Sequence, residues 1–244
     1  MVTVPVLGDT LRLSLDPLFQ EWGLGLLDDL PLVEIGGIAP VAYRLAASAI
    51  GSGPRVHPSA VVSPLANIAD DVVIGPGCRV CEYSTVRDRS VLSAGVHVGY
   101  GCEVNRSVIA AGTSLGHRVG LGHSVVGRAC HLSSSLTVAV CDLWSPDMLH
   151  PSRPISITMA DGTLVETGKP KWGAVIGDGV RTAVNVTLGP GAVIGADCVL
   201  YGEVAVACTE IPSRSVLRPT HRYHVEPRRD LAPLTPLLVR GERP

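Results

Sequence analysis

Aliphatic residues recur along most of this chain at a spacing that suits neither a helix nor an alternating strand. From Val56 they fall on every sixth residue, at Val62, Ile68, Ile74, Val80, Val86, Leu92, Val98 and Val104. The step shortens to five at Ile109, returns to six at Leu115 and Leu121, shortens again at Val126, and resumes at Leu132 and Val138. After an interruption it restarts at Ile176 and passes through Thr182, Leu188, Ile194, Leu200 and Val206. A helix needs a period of about 3.6 and a half-buried strand a period of about 2. A fixed six-residue period is the pattern of a parallel β-helix, in which three short strands make one coil.

Two companion columns support that reading. Glycine often follows the aliphatic residue, as at Gly75, Gly99, Gly116, Gly122, Gly127, Gly177, Gly189 and Gly195. A tight corner between short strands suits a residue without a Cβ. Four residues after the aliphatic position stands a small or aliphatic residue, including Cys78, Cys102, Cys130 and Cys198. These cysteines pack as small hydrophobes, and their spacing does not suit a zinc ribbon.

The pattern divides the chain into an N-terminal cap (1–55), a β-helix of about seven coils (56–206) and an extended tail (207–244). The cap has a strand-like start before Leu15, an amphipathic stretch over Pro17–Leu30, and a helix over Pro40–Ile50 with Gly51 after its end. Such a segment is expected on one end or side of the prism, protecting the first coil. Residues 140–172 interrupt the repeat and form a projecting loop. Within it, Ile155–Met159 and Thr163–Thr167 flank Ala160-Asp161-Gly162, which reads as a β-hairpin reaching a neighbouring subunit. The tail carries Arg214, Arg218, Arg222, Arg228 and Arg229 among several prolines.

Composition narrows the function classes. The net charge of −2 gives no footprint for nucleic acid. The hydrophobic fraction is 46%, yet no run of 18 uninterrupted apolar residues occurs and the N-terminus lacks a basic region followed by an apolar one. A cytoplasmic protein without a membrane or nucleic-acid partner is the expectation.

The three-column pattern resembles the left-handed β-helix of the hexapeptide-repeat transferases, which makes the expected fold class all-β, a left-handed parallel β-helix. Gly116-His117, Val119-Gly120-Leu121-Gly122 and Ser124-Val125-Val126-Gly127 resemble the acetyltransferase domain of the bifunctional N-acetylglucosamine-1-phosphate uridyltransferases. Gly168–Gly177 and Val180–Leu188 resemble the archaeal branch of the sugar-1-phosphate nucleotidylyltransferases. The nucleotidylyltransferase domain of that family has no counterpart in the cap, so its pyrophosphorylase activity is not carried over.

The resemblance implies a CoA-dependent N-acyltransferase acting on an amino sugar, sugar nucleotide or related small amine, with acetyl-CoA or another acyl-CoA as co-substrate. It implies a homotrimer and no tightly bound metal. His117 corresponds to the general base, a role that suits imidazole because its ordinary pKa is near neutrality. Arg87 corresponds to the residue that holds the sugar-nucleotide phosphate, which a guanidinium can grip with two donors. Asn105, Arg106 and His131 would shape the acceptor pocket. Lys169, Lys171, Arg181 and Asn185 would serve the acyl-donor side or the loop. The family's loop Asn corresponds to Val140, so oxyanion stabilisation would fall to a backbone N–H. The two short steps flank the segment that holds His117 and are read as cutting the prism to present it.

Two other readings stand beside this one. One is a diverged repeat protein with unrelated chemistry or a scaffold role. The other is a zinc hydratase like the γ-class carbonic anhydrases, which would draw on His97, His117, His123 and His131.

Overall fold

The computed structural model describes residues 5–220. Three parallel sheets of eight, seven and seven strands form the walls of a left-handed β-helix. Each coil crosses a first face, a second face and a third face in turn, starting with Val61–Val62, Asn67–Ile68 and Val73–Ile74. The first aliphatic position, Val56, bridges to Ile74 just before these strands.

The six-residue column is the interior of this prism. Ile74, Val80, Val86, Leu92, Val98, Val104, Ile109, Leu115, Leu121, Val126, Leu132 and Val138 form one buried cluster with Ile176, Leu188, Ile194, Leu200 and Val206. Cys78, Cys102, Cys130 and Cys198 join them, and each thiol donates to a carbonyl of a neighbouring coil. Burial pushes the Cys78 and Cys130 thiols up to about 11, so they stay protonated and act as packing groups.

The solenoid continues beyond Val206, past the last repeat legible in the sequence. Glu210–Ile211 adds a strand to the third face and Val216–Leu217 one to the first. The step from Val206 to Ile211 is again five residues, and the column resumes at Leu217. Residues 207–217 are therefore coil rather than extended tail. The expectations for Arg222, Arg228 and Arg229 lie outside the described residues.

All three five-residue steps fall on the same corner, between the second and third faces. The long interruption falls there too, between Thr137–Val138 and Ala174–Ile176. In the two earliest short corners a single residue turns the chain, Arg106 (φ 45°) or His123 (φ 50°), where the preceding coil uses both Asp88 (φ 56°) and Arg89 (φ 61°). Non-glycine residues adopt this left-handed conformation at a cost of about 1–2 kcal/mol. A ladder of buried serines offsets it. The Ser90, Ser107 and Ser124 hydroxyls donate to the Arg87, Asn105 and Gly122 carbonyls. They accept from the backbone N–H of Ser107, Ser124 and Ala174 in the next coil.

The N-terminal segment covers a side of the prism, not its end. Outward-facing Val73, Val91, Val108, Val125, Val175 and Val193 of the third face form a second core with Phe19, Leu24, Leu32, Ile35, Ile38, Ala42 and Ala46. Proline at its first turn starts helix α1 (Pro17–Glu21), and the Asp16 side chain caps it by accepting from the Leu18 and Phe19 amides. The same carboxylate accepts from Ser93 Oγ at 2.8 Å and the Ala111 amide at 2.7 Å, which fastens the segment to the prism. Gly23 (φ 77°) ends this helix early, and a 3₁₀ turn follows over Leu24–Asp29. Helix α2 (Ile38–Ile50) begins two residues before the expected start. By length and composition the helical run Leu32–Ile50 would span a bilayer; here Ile38, Ala39, Ala42 and Ala46 are buried against the third face.

The predicted hairpin is present as Ser156–Thr158 paired with Leu164–Glu166 around Gly162. It does not project. Ile155, Ile157 and Val165 are buried in the second core, and the Thr158 amide donates to the Cys208 carbonyl at 3.0 Å. The alternation that makes the hairpin amphipathic also lays it against its own prism. The part of the interruption that stands out is the segment 143–149.

Candidate functional site

The predicted residues occupy two edges of the second face and the middle of the first. His117 lies on the edge between the first and second faces and is exposed. Its amide donates to Ser134 Oγ at 3.3 Å and its carbonyl accepts from the Ser135 amide at 2.9 Å. The backbone is thereby held by the next coil, and the imidazole has no hydrogen-bond partner among the described residues. Asn185 (φ 59°) lies on the same edge, its amide donating to the Ser134 carbonyl at 3.0 Å.

His97 and His131 lie on the first face in one outward column, with Ser114 between them and Arg181 after. His97 Nε2 lies 3.6 Å from Cys81 Sγ. Burial, then the charges of Arg79 and His117, lower the His97 pKa. The four histidines considered for a metal are thus divided between one face and two corners.

The short steps do not present His117. They turn the chain at Arg106 and His123, on the opposite edge of the second face. Arg87 and Asn105 are register neighbours at that edge. Glu103 occupies both. It accepts from Arg87 Nη2 at 2.6 Å and Nε at 3.2 Å, and from Asn105 Nδ2 at 3.4 Å. Asp88 takes the remaining arm of the Arg87 fork. The Glu103 hydrogen bond leads in raising the Arg87 pKa, so this guanidinium is already matched to carboxylates. Arg89, Arg106 and Lys171 form no ion pair among the described residues, whereas Lys169 pairs with Glu34 at 3.2 Å. A cavity of about 90 Å³ is lined by Asp71, Asp88, Arg89 and Arg106.

His123 is the residue at this edge that the sequence did not assign to acyl transfer. Its Nδ1 lies 3.2 Å from the Gly36 carbonyl, which makes Nδ1 the protonated nitrogen of the neutral ring and leaves the Nε2 lone pair free. Burial lowers its pKa first, Arg106 and Lys171 lower it further, and the Gly36 carbonyl and Asp88 act against them. The signal in the sequence is the second short step, which puts His123 at the position of Arg106. Val140 lies over this edge, its Cγ1 2.9 Å from where a Cβ on Gly122 would stand.

No curated protein matches the chain significantly. Among solved structures, the polysialic acid O-acetyltransferase OatWY is similar at 16% identity and a TM-score of 0.41, over 68% of this chain and 90% of that one. The Arabidopsis UDP-N-acetylglucosamine acyltransferase is similar at 17% identity and a TM-score of 0.35, over 66% of this chain and 60% of its own. A mutant of the Caulobacter crescentus GDP-perosamine N-acetyl transferase, in complex with CoA and GDP-perosamine, is similar at 20% identity and a TM-score of 0.32, over 70% of this chain and 60% of its own. The chain folds as a β-helix of six-residue repeats, and its residues 52–151 match the family model of the GMPPB C-terminal domain.

Proposed function

We propose that this protein is a CoA-dependent N-acyltransferase that acts on an amino sugar, sugar nucleotide or related small amine in sites shared between copies of a cytoplasmic homotrimer. One observation carries the reading. His117 and the cations Arg106 and Lys171 stand on opposite edges of the same face, so a single chain does not bring them together. Two prisms side by side would face the base of one copy toward the cations of the next. Seven unpaired cysteines fit a reducing compartment.

In this reading the acceptor amine attacks the thioester carbonyl carbon of the acyl-CoA. The His117 imidazole takes the proton from the attacking nitrogen. The C–S bond then breaks, the amide forms, and the CoA thiolate leaves and recovers the proton from the imidazolium. Arg106 and Lys171 hold the anionic groups of the two substrates. Arg87 joins them when phosphate displaces Glu103. His131, Asn105, Arg181, Asn185 and Lys169 line the approaches.

His123 offers a second reading for the base. Its ring is oriented by the Gly36 carbonyl and biased toward the neutral form, the state a base requires. His117→Ala lowers turnover by about 10²-fold or more if His117 is the base. Turnover at the wild-type level in His117→Ala, with loss in His123→Gln, transfers the role to His123. Retention in both variants ends the acyl-transfer reading. Thermal shifts with acetyl-CoA, with UDP-sugars, and with zinc plus chelator separate transfer from hydration and from a scaffold role.

A further inference from the structure

We propose that this protein carries a small-molecule site between its N-terminal segment and the first coil of the prism, and that the site takes an organic amine: an ammonium group on a compact apolar body. The site is separate from the edges that carry His117 and His123, and it stands whether or not the protein transfers acyl groups.

A cavity of about 540 Å³ opens here, within the size range of small-molecule sites, and it lies where two packed units meet, a common place for such sites. Leu18, Glu21 and Trp22 line it from α1 and its end, Ile50 from the last turn of α2, and His57 and Pro76 from the start of the prism. The gap follows from how the chain leaves the helices. Gly51 (φ 60°) stops α2, and the next residues run to the prism. There the Ile74 amide donates to the Arg55 carbonyl and the His57 amide to the Ile74 carbonyl, both at 2.8 Å. Gly75 packs against Leu18, since a Cβ on it would stand 2.9 Å from Leu18 Cδ2.

The walls are held in place by contacts of their own. Asp16 fastens α1 to Ser93 and Ala111. The Arg55 guanidinium donates to the Ala47 and Gly51 carbonyls at 3.1 and 3.4 Å and holds the end of α2. Pro54, Pro58 and Pro76 stiffen the rim, because each ring fixes its φ. A preformed site avoids much of the ordering cost of binding.

Two polar side chains on this apolar lining set the chemistry of the ligand. Glu21 forms no ion pair among the described residues. The nearby Arg55 cation is already engaged by the helix carbonyls. An anion would meet an uncompensated carboxylate, whereas an ammonium group gains a charge-assisted hydrogen bond. Trp22 adds an aromatic wall, and aromatic rings attract cations beyond their apolar area. His57 supplies the other polar contact. Its Nδ1 accepts from the Ser59 amide at 3.1 Å, so Nε2 carries the proton of the neutral ring and can donate to a ligand oxygen. Leu18, Ile50 and Pro76 take the apolar body.

Tyramine joins an ammonium, an aromatic body and a hydroxyl, and it serves as the probe. Titration calorimetry of the full chain should find one site. Glu21→Gln should weaken tyramine about tenfold or more and leave para-ethylphenol, the same body without the ammonium, unchanged. Ala49→Phe fills the cavity from α2 and should abolish binding of both, with the circular dichroism of the parent. Tryptophan fluorescence gives a second readout: it should change on tyramine binding in the parent and stay constant in Trp22→Phe. No binding of tyramine at millimolar concentration overturns the proposal. Binding that survives Ala49→Phe, or a fluorescence change that survives Trp22→Phe, places the ligand elsewhere and overturns the site. Tyramine affinity unchanged in Glu21→Gln, or hydroxyphenylpropionate bound more tightly than tyramine, overturns the assignment to amines.

Discussion

The Nδ1 atom of His123 lies 3.2 Å from the carbonyl oxygen of Gly36, 87 residues earlier in the chain. This contact joins the corner that carries Arg106 and Lys171 to the segment that covers the third face. It also sets the tautomer of the ring, while burial draws the ring toward the neutral state against the pull of this hydrogen bond.

A pH dependence of stability follows. Histidine in an unfolded chain titrates near about 6.5, and burial holds His123 below that in the fold. Below about pH 6.5 the unfolded chain takes up a proton that the folded corner refuses, so stability falls as the pH drops toward the folded value. Above about pH 6.5 this contribution is fully present. His97 is shifted the same way and adds to the acid limb. Thermal melts between pH 7.5 and 5.5 should show a shallower acid limb in His123→Gln. An identical limb in variant and parent would remove His123 from the account.

Trp172 secures the same region. It is fully buried and its Nε1 donates to the Leu32 carbonyl at 3.0 Å. Gly36 packs so tightly above it that a Cβ there would stand 2.6 Å from the Lys171 carbonyl oxygen. Trp172→Phe should cost about 1–3 kcal/mol through the orphaned carbonyl, and Trp172→Ala about 3–5 kcal/mol through the cavity. Urea unfolding measures both. Protease cleavage near Leu32 should become faster in the alanine variant.

The serine ladder makes a separate prediction. Ser107 Oγ both donates to the Asn105 carbonyl and accepts from the Ser124 amide, and it is completely buried. Ser107→Ala leaves both groups without that partner and should cost about 1–3 kcal/mol. Ser107→Thr keeps the hydroxyl and should lose less. Equal losses in the two variants would mean that packing, not hydrogen bonding, shapes the corner.

Glu103 controls how available Arg87 is to a ligand. Its carboxylate holds the guanidinium by two donors. Glu103→Gln removes the charge and should tighten binding of a phosphate-bearing sugar severalfold, as measured by titration calorimetry with a UDP-sugar. Unchanged affinity in Glu103→Gln would place the phosphate away from Arg87.

Much of the architecture is legible because the interior column is periodic. The residues from Ile74 to Val138 that keep the six- or five-residue step are the buried ones. The last coil is hard to see because Cys208 and Pro212 break the pattern around Ile211. Asp161-Gly162 marks the hairpin but not its direction, since alternation gives one apolar face without saying what covers it. The role of His123 is hidden because a histidine beside an interior position looks like an exterior one until the coil is closed.

The sequence by itself determined the local repeat. A six-residue period, small corner residues and a long insertion specify a three-walled β-helix, because each short strand can bury its aliphatic residue only by stacking on its neighbours. Only the tertiary structure decided which corner each residue occupies. The walls bring residues 17 or 18 apart into register, and the N-terminal segment covers one wall through contacts with no sequence period. That is why His117 and Arg106, eleven residues apart, stand on opposite edges of one face, while Gly36 and His123 meet.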